Sequence, residues 1–320
     1  MKTRSHIHEE SFDTSPERMF DLLITPSAIR EWWGAARVIV TPRIGGVWAA
    51  AWGDEDDPEY ISTATLAEFE PPRQLTMKYG LYYAKSGDLP FEFSSKARTS
   101  FTIESDGIGC KLRVEQTGFP RDPVADDFYA ECETGWKKTF EGIRNFLNTK
   151  FEHEKTSETS DTEHKSGAGS GKRRQELQEP FGISPERMFE VLTTPSAIRD
   201  WWGASTVVID PRKGGSWVTA WGDGETDSEY VNTFEILEFD PPKRMLLGRG
   251  KYISGANWPI VTDMTTELIV ESQPPGCSLR IVQELSPGDP LLDDYFDACV
   301  VGWQNSFEGI RNYLHNHPAE

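Results

Sequence analysis

The 320-residue chain sets 33 Lys and Arg against 52 Asp and Glu, a formal net charge of -19 that repels nucleic-acid phosphates and anionic membrane surfaces. Its hydrophobic fraction of 37% suffices for packed cores, yet no stretch approaches the roughly 18 apolar residues of a membrane span, and the opening MKTRSHIHEESFD lacks the apolar core of a signal peptide. The expectation is a cytoplasmic protein that partners neither nucleic acid nor membrane.

The chain is written twice. Ser15 to Ile29 reads SPERMFDLLITPSAI, Ser184 to Ile198 reads SPERMFEVLTTPSAI, and the agreement continues in order to EGIRNFL from Glu141 and EGIRNYL from Glu308. Each copy has the size of an ordinary domain that buries roughly two-thirds of its chain surface without a staple. We therefore expect domains over residues 1–150 and 173–317, joined by a flexible linker over 151–172 whose KTSETSDTEHKSGAGSGK has no aromatic or large aliphatic residue. The GAGSGKRR that ends the linker departs from phosphate-loop spacing, sets Arg173 where Ser or Thr belongs and follows no strand, so it is no nucleotide site.

In chain order, the pattern predicts a first strand over Thr3 to Phe12, then two short helices, one capped by Ser15-Pro16 and one opened by Thr25-Pro26 and stopped at Gly34. Alternating segments follow, Val47 to Gly53, Tyr60 to Phe69, Leu75 to Tyr79, Ala97 to Glu104 and Cys110 to Thr117, separated by Gly45-Gly46, Pro71-Pro72 and Asp106-Gly107. A long helix begun by Asp122-Pro123 closes the copy, with Phe128, Cys132, Trp136, Phe140, Ile143 and Leu147 on one face. The fold class is α+β, a curved antiparallel sheet that wraps a long helix and leaves room for a cavity between them.

Few residues announce chemistry. Cys110, Cys132, Cys277 and Cys299 fall at equivalent places without CxxC spacing and read as small buried apolar groups rather than disulfide or metal ligands. No histidine recurs between copies, which excludes a shared histidine base, and neither HExxH nor GxSxG appears. Asp126-Asp127 and Asp293-Asp294 recur, but they suit the positive end of the long helix, with Arg144 and Arg311 at its far end. No catalytic, metal or cofactor residue is assigned, and the protein reads as a binder more than an enzyme.

TPSAIREWWG and TPSAIRDWWG, PRIGGVW and PRKGGSW, EFEPPRQL and EFDPPKRM, and the Gly135-Trp136 and Gly302-Trp303 pairs together resemble the AHSA1-like branch of the Bet v 1/START helix-grip superfamily, over nearly everything except the linker. The resemblance implies the helix-grip fold. It leaves function open, because the superfamily includes lipid and hormone binders, polyketide cyclases, a co-chaperone domain and bacterial proteins that protect producers of enediynes.

The aromatics are the strongest binding candidates. Ten of the 11 tryptophans pair between copies, and Trp48, Ala50 and Trp52 share a strand face, as do Trp217, Thr219 and Trp221, so small side chains separate bulky ones. Trp32 and Trp33 serve equally as filler or lining, and Trp136 and Trp303 read as scaffold. Gln116 and Gln283 end apolar faces, and each buried amide needs a partner, either a backbone group at the strand end or a ligand oxygen. The full candidate set is Trp48, Trp52, Tyr60, Ser62, Tyr79, Phe101, Gln116 and Phe140 in the first copy, and Trp217, Trp221, Tyr230, Asn232, Phe234, Trp258, Gln283 and Phe307 in the second.

The copies diverge most over 79–97 and 252–264, aromatic segments suited to covering a cavity mouth or to forming plain hairpins. The leading expectation is non-catalytic binding of a large apolar, conjugated small molecule. The resemblance narrows this to a polyketide-type guest, a polyene, polycyclic or enediyne, for carriage or self-resistance. Duplication followed by divergence of the covering segments suggests domains that dock around one extended guest, the alternative being two independent beads joined by the linker. A cyclase or aromatase acting through Tyr60, Tyr79 and Gln116, and an Hsp90-type co-chaperone module, are the rivals.

Overall fold

The computed structural model describes residues 2–93, 96–149, 173–224, 228–254, 257–261, 264–285 and 290–318, and the expected linker lies outside them. Two compact units result, each described by itself. The first runs β1 (Thr3–Phe12), α1 (Pro16–Ile24), α2 (Pro26–Trp33), β2 (Arg37–Val40), β3 (Val47–Gly53), β4 (Pro58–Glu70), β5 (Gln74–Ala84), β6 (Arg98–Ser105), β7 (Cys110–Pro120), a 3-10 turn at Pro123–Ala125 and α3 (Asp126–Thr149). Its seven strands form one antiparallel sheet ordered β1-β7-β6-β5-β4-β3-β2. β1 therefore pairs with the last strand, setting His6 opposite Gln116.

The caps follow from the sequence. Ser15 Oγ accepts from the Arg18 N–H at 3.2 Å with proline at the first helical position, and Thr25 closes α1 while opening α2. Gly34, left-handed at φ 69°, ends α2. Register shifts between Ser62 and Ala64 and between Leu66 and Glu68 mark irregularities where β4 pairs with β5; such bulges bend a sheet and give it the concavity that receives α3.

One glycine fixes how the helices cross. A Cβ on Gly142 of α3 would lie 2.1 Å from the Trp32 carbonyl oxygen of α2, so only glycine lets the two backbones approach this closely. That contact is why EGIR recurs. Arg144, expected to complement the end of α3, instead pairs with Glu10 of β1, since it sits before the last turn.

The second unit repeats the plan with β8 (Arg173–Phe181), α4 (Pro185–Thr193), α5 (Pro195–Trp202), β9 (Thr206–Ile209), β10 (Ser216–Gly222), β11 (Ser228–Asp240), β12 (Arg244–Ser254), β13 (Asn257–Val261), β14 (Thr265–Gln273), β15 (Gly276–Leu285) and α6 (Pro290–Asn316). The order is β8-β15-β14-β12-β11-β10-β9, with β13 added on β12. Gly309 repeats the close approach, 2.0 Å from the Trp201 carbonyl oxygen.

β2 was not expected. β2 is buried at all four positions, so it lacks the alternation by which a strand is recognised. β13 falls in the divergent segment 252–264 and pairs antiparallel with β12, which is the hairpin of the two forms expected there. Among the described residues, no helix is long and apolar enough to cross a membrane.

Candidate functional site

Each unit encloses a cavity between its sheet and long helix. That of the first unit measures about 170 Å³ and that of the second about 440 Å³, each lined only by residues of its own unit. One tryptophan organises each aromatic wall. Trp33 stacks on Trp32 with ring centroids 5.3 Å apart and meets Trp52 edge-on at 5.2 Å, while Trp48 lies 5.3 Å away. Trp202 repeats this with Trp201 at 5.3 Å and Trp221 at 5.1 Å, and it stacks on Trp303 of α6 at 5.9 Å.

Backbone carbonyls hold these rings. Trp52 Nε1 donates to Trp33 O at 3.3 Å and Trp221 Nε1 to Trp202 O at 3.2 Å, while Trp32 Nε1 donates to Leu22 O at 2.8 Å and Trp201 Nε1 to Val191 O at 3.0 Å. Trp33 and Trp202 line the cavities and Trp32 and Trp201 pack beneath, which divides the WW pair between lining and core.

Gln116 is buried at the sheet surface, and its partners are side chains rather than a backbone group at the strand end. Its amide nitrogen donates to Thr99 Oγ1 at 3.0 Å and to the Tyr79 hydroxyl, and its carbonyl accepts from Trp136 Nε1 at 2.7 Å. All three partners are side chains within the unit. In the second unit Gln283 Nε2 donates to Thr266 Oγ1 at 2.9 Å, and its carbonyl accepts from Gln175 Nε2 at 2.6 Å. Gln175 stands where the first unit has His6, and it also donates to Phe296 O at 3.1 Å.

The difference in volume has a local cause. Midway along β5, Tyr79 turns inward and stacks on Phe93 at 5.5 Å, and Phe93 packs in turn on Phe119 and Phe128. Arg249 occupies the corresponding place in β12, adopts φ 52° and pairs outward with Glu235 at 2.7 Å. Segment 79–97 thus supplies an aromatic plug in the first unit, whereas the second unit has Arg249, turned outward, in place of the Tyr79 ring.

Of the expected binding residues, Trp48, Trp52, Ser62, Tyr79 and Gln116 line the first cavity, and Trp217, Trp221, Tyr230, Asn232, Phe234 and Gln283 the second. Others lie elsewhere. Phe101 is buried edge-on to Trp136 at 5.7 Å, Phe140 packs on Phe12 at 6.0 Å, and Phe307 packs on Phe181 at 6.2 Å, because these positions face core beyond the cavity. Tyr60 is exposed near Tyr82, and the Trp258 side chain lies outside the described residues. Lining residues not singled out beforehand include Tyr82 and Tyr252, Phe128 and Tyr295, and Trp136 and Trp303. Both copies carry an aromatic at each of these places, a signal the sequence did contain.

Among the described residues, no lining side chain of either cavity is charged. Burial pushes the Tyr79 and Tyr252 hydroxyls up to about 12 and raises Tyr82 and Tyr295 as well. The thiols of Cys132 and Cys299, both free, rise to about 12 and about 11 for the same reason. These groups stay neutral at pH 7 and offer hydrogen bonds rather than charge. Asp126, in the first turn of α3, pairs with Arg4 at 2.6 Å away from the cavity, and the side chains of Asp293 and Asp294 lie outside the described residues. Among the described residues, no cluster of three or more His, Cys, Asp or Glu is placed to hold a metal.

The chain matches the family described as Activator of Hsp90 ATPase homolog 1-like protein over residues 13–148 and again over 183–315. It belongs to the AHSA1 family. Among solved structures, similarity extends to protein MLL2253 from Mesorhizobium loti, 23% identical over 46% of this chain and 98% of that one, with a TM-score of 0.38. It extends also to protein CV1439 from Chromobacterium violaceum, 22% identical over 43% of this chain and 94% of that one (TM-score 0.34). The Aha1 dimer from Colwellia psychrerythraea is 17% identical over 46% of this chain and 96% of that one (TM-score 0.35). No match was found among curated proteins. The family repeat coincides with the two units, so each AHSA1 domain carries its own cavity.

Proposed function

We propose that this tandem AHSA1 protein is a non-catalytic binder of a large apolar small molecule, with the second domain as its principal site. The observation that carries this reading is the 440 Å³ cavity framed by Trp202, Trp217, Trp221 and Trp303, with no charged group among its described lining residues. Ligand pockets run to about 300–1,000 Å³ and are mostly apolar with a few placed polar groups; the first cavity, at 170 Å³, falls below that range. Flat aromatic walls favour a conjugated guest through stacking. A polyketide-type polyene, polycyclic or enediyne, held for carriage or self-resistance, is the guest we propose.

Intrinsic tryptophan emission and melting temperature, followed against polyenes and polycyclic aromatics, test this. Quenching with a raised melting temperature supports it. A panel that does neither contradicts it. The co-chaperone reading, favoured by the family description, predicts instead that Hsp90 is retained on immobilised protein with the cavity empty or full. That the domains share one extended guest is a further proposal. Cleavage within 151–172 that leaves full affinity in each half sinks it.

A further inference from the structure

Resting on the cavity-binding function above, we propose that the first domain is a ring-exchange site, where an uncharged guest of two aromatic rings binds by displacing Phe93 from an aromatic box. Phe93 stacks face to face on Tyr79, with centroids 5.5 Å apart and planes 11° from parallel. Three further rings meet it at steep angles, Phe91 at 5.5 Å, Phe128 at 5.7 Å and Phe119 at 6.1 Å. Tyr79, Phe93, Phe119 and Phe128 all line the cavity. A stacked face with edge-on neighbours is how aromatic rings prefer to pack, so the box that grips this ring suits the ring of a guest equally.

The walls and the ring they hold are fixed in different ways. Tyr79 stands on β5, Phe119 on β7 and Phe128 on α3, and the Tyr79 hydroxyl is tied to Gln116 and Thr99. Phe91 and Phe93 lie on neither strand nor helix. The stretch 85–93 that carries them is anchored at its start, where the Lys85 N–H donates to Glu59 O at 2.8 Å and the Lys85 ammonium pairs with Asp57. Gly87 then turns the chain at φ 130°, a backbone conformation that favours glycine. Among the described residues no backbone hydrogen bond holds 89–93 to the domain, which leaves ring packing to keep Phe93 in place. Phe93 is also only half-buried, so a guest reaches it from solvent and its release opens no solid core. The second domain, with Arg249 turned outward in place of Tyr79, lacks the stacking wall.

Volume sets the size of the guest. A cavity of about 150 Å³ suffices for benzene, so the 170 Å³ already present takes one ring. The place of the Phe93 ring makes room for a second. With no charged group among the described lining residues, a carboxylate or an ammonium would be buried unpaired, which leaves uncharged guests. The guest's ring takes up the contacts that Phe93 gives up, while exposing the freed phenyl ring weakens binding by about tenfold relative to an empty box.

The test titrates the full chain with 6-propionyl-2-(dimethylamino)naphthalene, an uncharged two-ring probe whose emission reports apolar surroundings. Wild type is expected to bind one equivalent in the second domain and another about tenfold more weakly in the first. Phe93→Ala should tighten the weaker equivalent by about tenfold and leave the stronger unchanged. Because truncation alone enlarges the cavity, wild type supplies the second readout: saturating probe should speed chymotrypsin cleavage after Phe91 or Phe93 by about tenfold, since cleavage follows the population of the open form. If Phe93→Ala fails to fold, that cleavage decides alone. An unchanged weaker affinity in Phe93→Ala, or cleavage that does not rise, overturns the exchange and leaves binding in the second domain intact. If the probe binds neither domain, the exchange falls together with the cavity-binding function.

Discussion

The indole nitrogen of Trp136 donates to the carbonyl oxygen of Gln116 at 2.7 Å, tying α3 to the sheet across the wall of the first cavity. The same glutamine holds Thr99 and Tyr79, so one amide organises three side chains from three elements. Gln116→Leu should therefore orphan two or three buried polar groups and cost about 2–4 kcal/mol. Chemical denaturation of the variant checks this. An unchanged midpoint for the first domain would mean that solvent replaces the amide.

Trp136→Ala and Trp303→Ala should each destabilise the domain concerned by about 3–5 kcal/mol, the range for truncating a buried aromatic. Both rings line their cavities as well as bracing α3 and α6. Binding should then fall together with stability. Lost binding at full stability would assign these rings to the ligand alone.

Tyr79 should set the capacity of the first domain. Tyr79→Ala removes the ring that stacks on Phe93 and should enlarge the first cavity, at a cost of about 3 kcal/mol. The bound stoichiometry of an aromatic probe should rise from one towards two per chain. If it stays at one, the difference between the cavities is not set by this side chain.

His6 predicts a pH dependence confined to the first domain. It is 6% exposed, and burial, then the neighbouring His8, lower its pKa to about 4, with Glu133 opposing. The unfolded ring takes up a proton below about 6.5 while the folded ring stays neutral, so stability is full above that pH and is lost as pH falls towards 4. The loss amounts to roughly 2–3 kcal/mol. His6→Gln, the residue type at Gln175, should flatten the profile of melting temperature between pH 6.5 and 4. A profile that keeps its slope would place the titration on another group.

Much of the fold was legible because it rests on local signals. Ser15-Pro16, Thr25-Pro26 and Gly34 fix two helices, and the Thr3–Phe12 strand has the predicted bounds. β2 escaped because burial on both faces erases alternation. The cavity was half legible: the Trp48 and Trp52 face pointed to it, but Phe101 and Phe140 have the same apolar character and sit in solid core. Whether an inward aromatic meets a void or a neighbour depends on how far the helix stands from the sheet, and periodicity carries no such distance. The Gln116 network was hidden for the same reason, since Trp136, Thr99 and Tyr79 come from α3, β6 and β5.

The central claim is that the second cavity is a ligand site, and blocking it tests that most directly. Ala298 of α6 is an exposed residue of the lining, where a large ring can cover the void without entering the core. Titrating wild type and Ala298→Trp with 1-hydroxypyrene should show saturable binding in the first and its loss in the second, at equal melting temperatures. Undiminished affinity in Ala298→Trp would contradict the account.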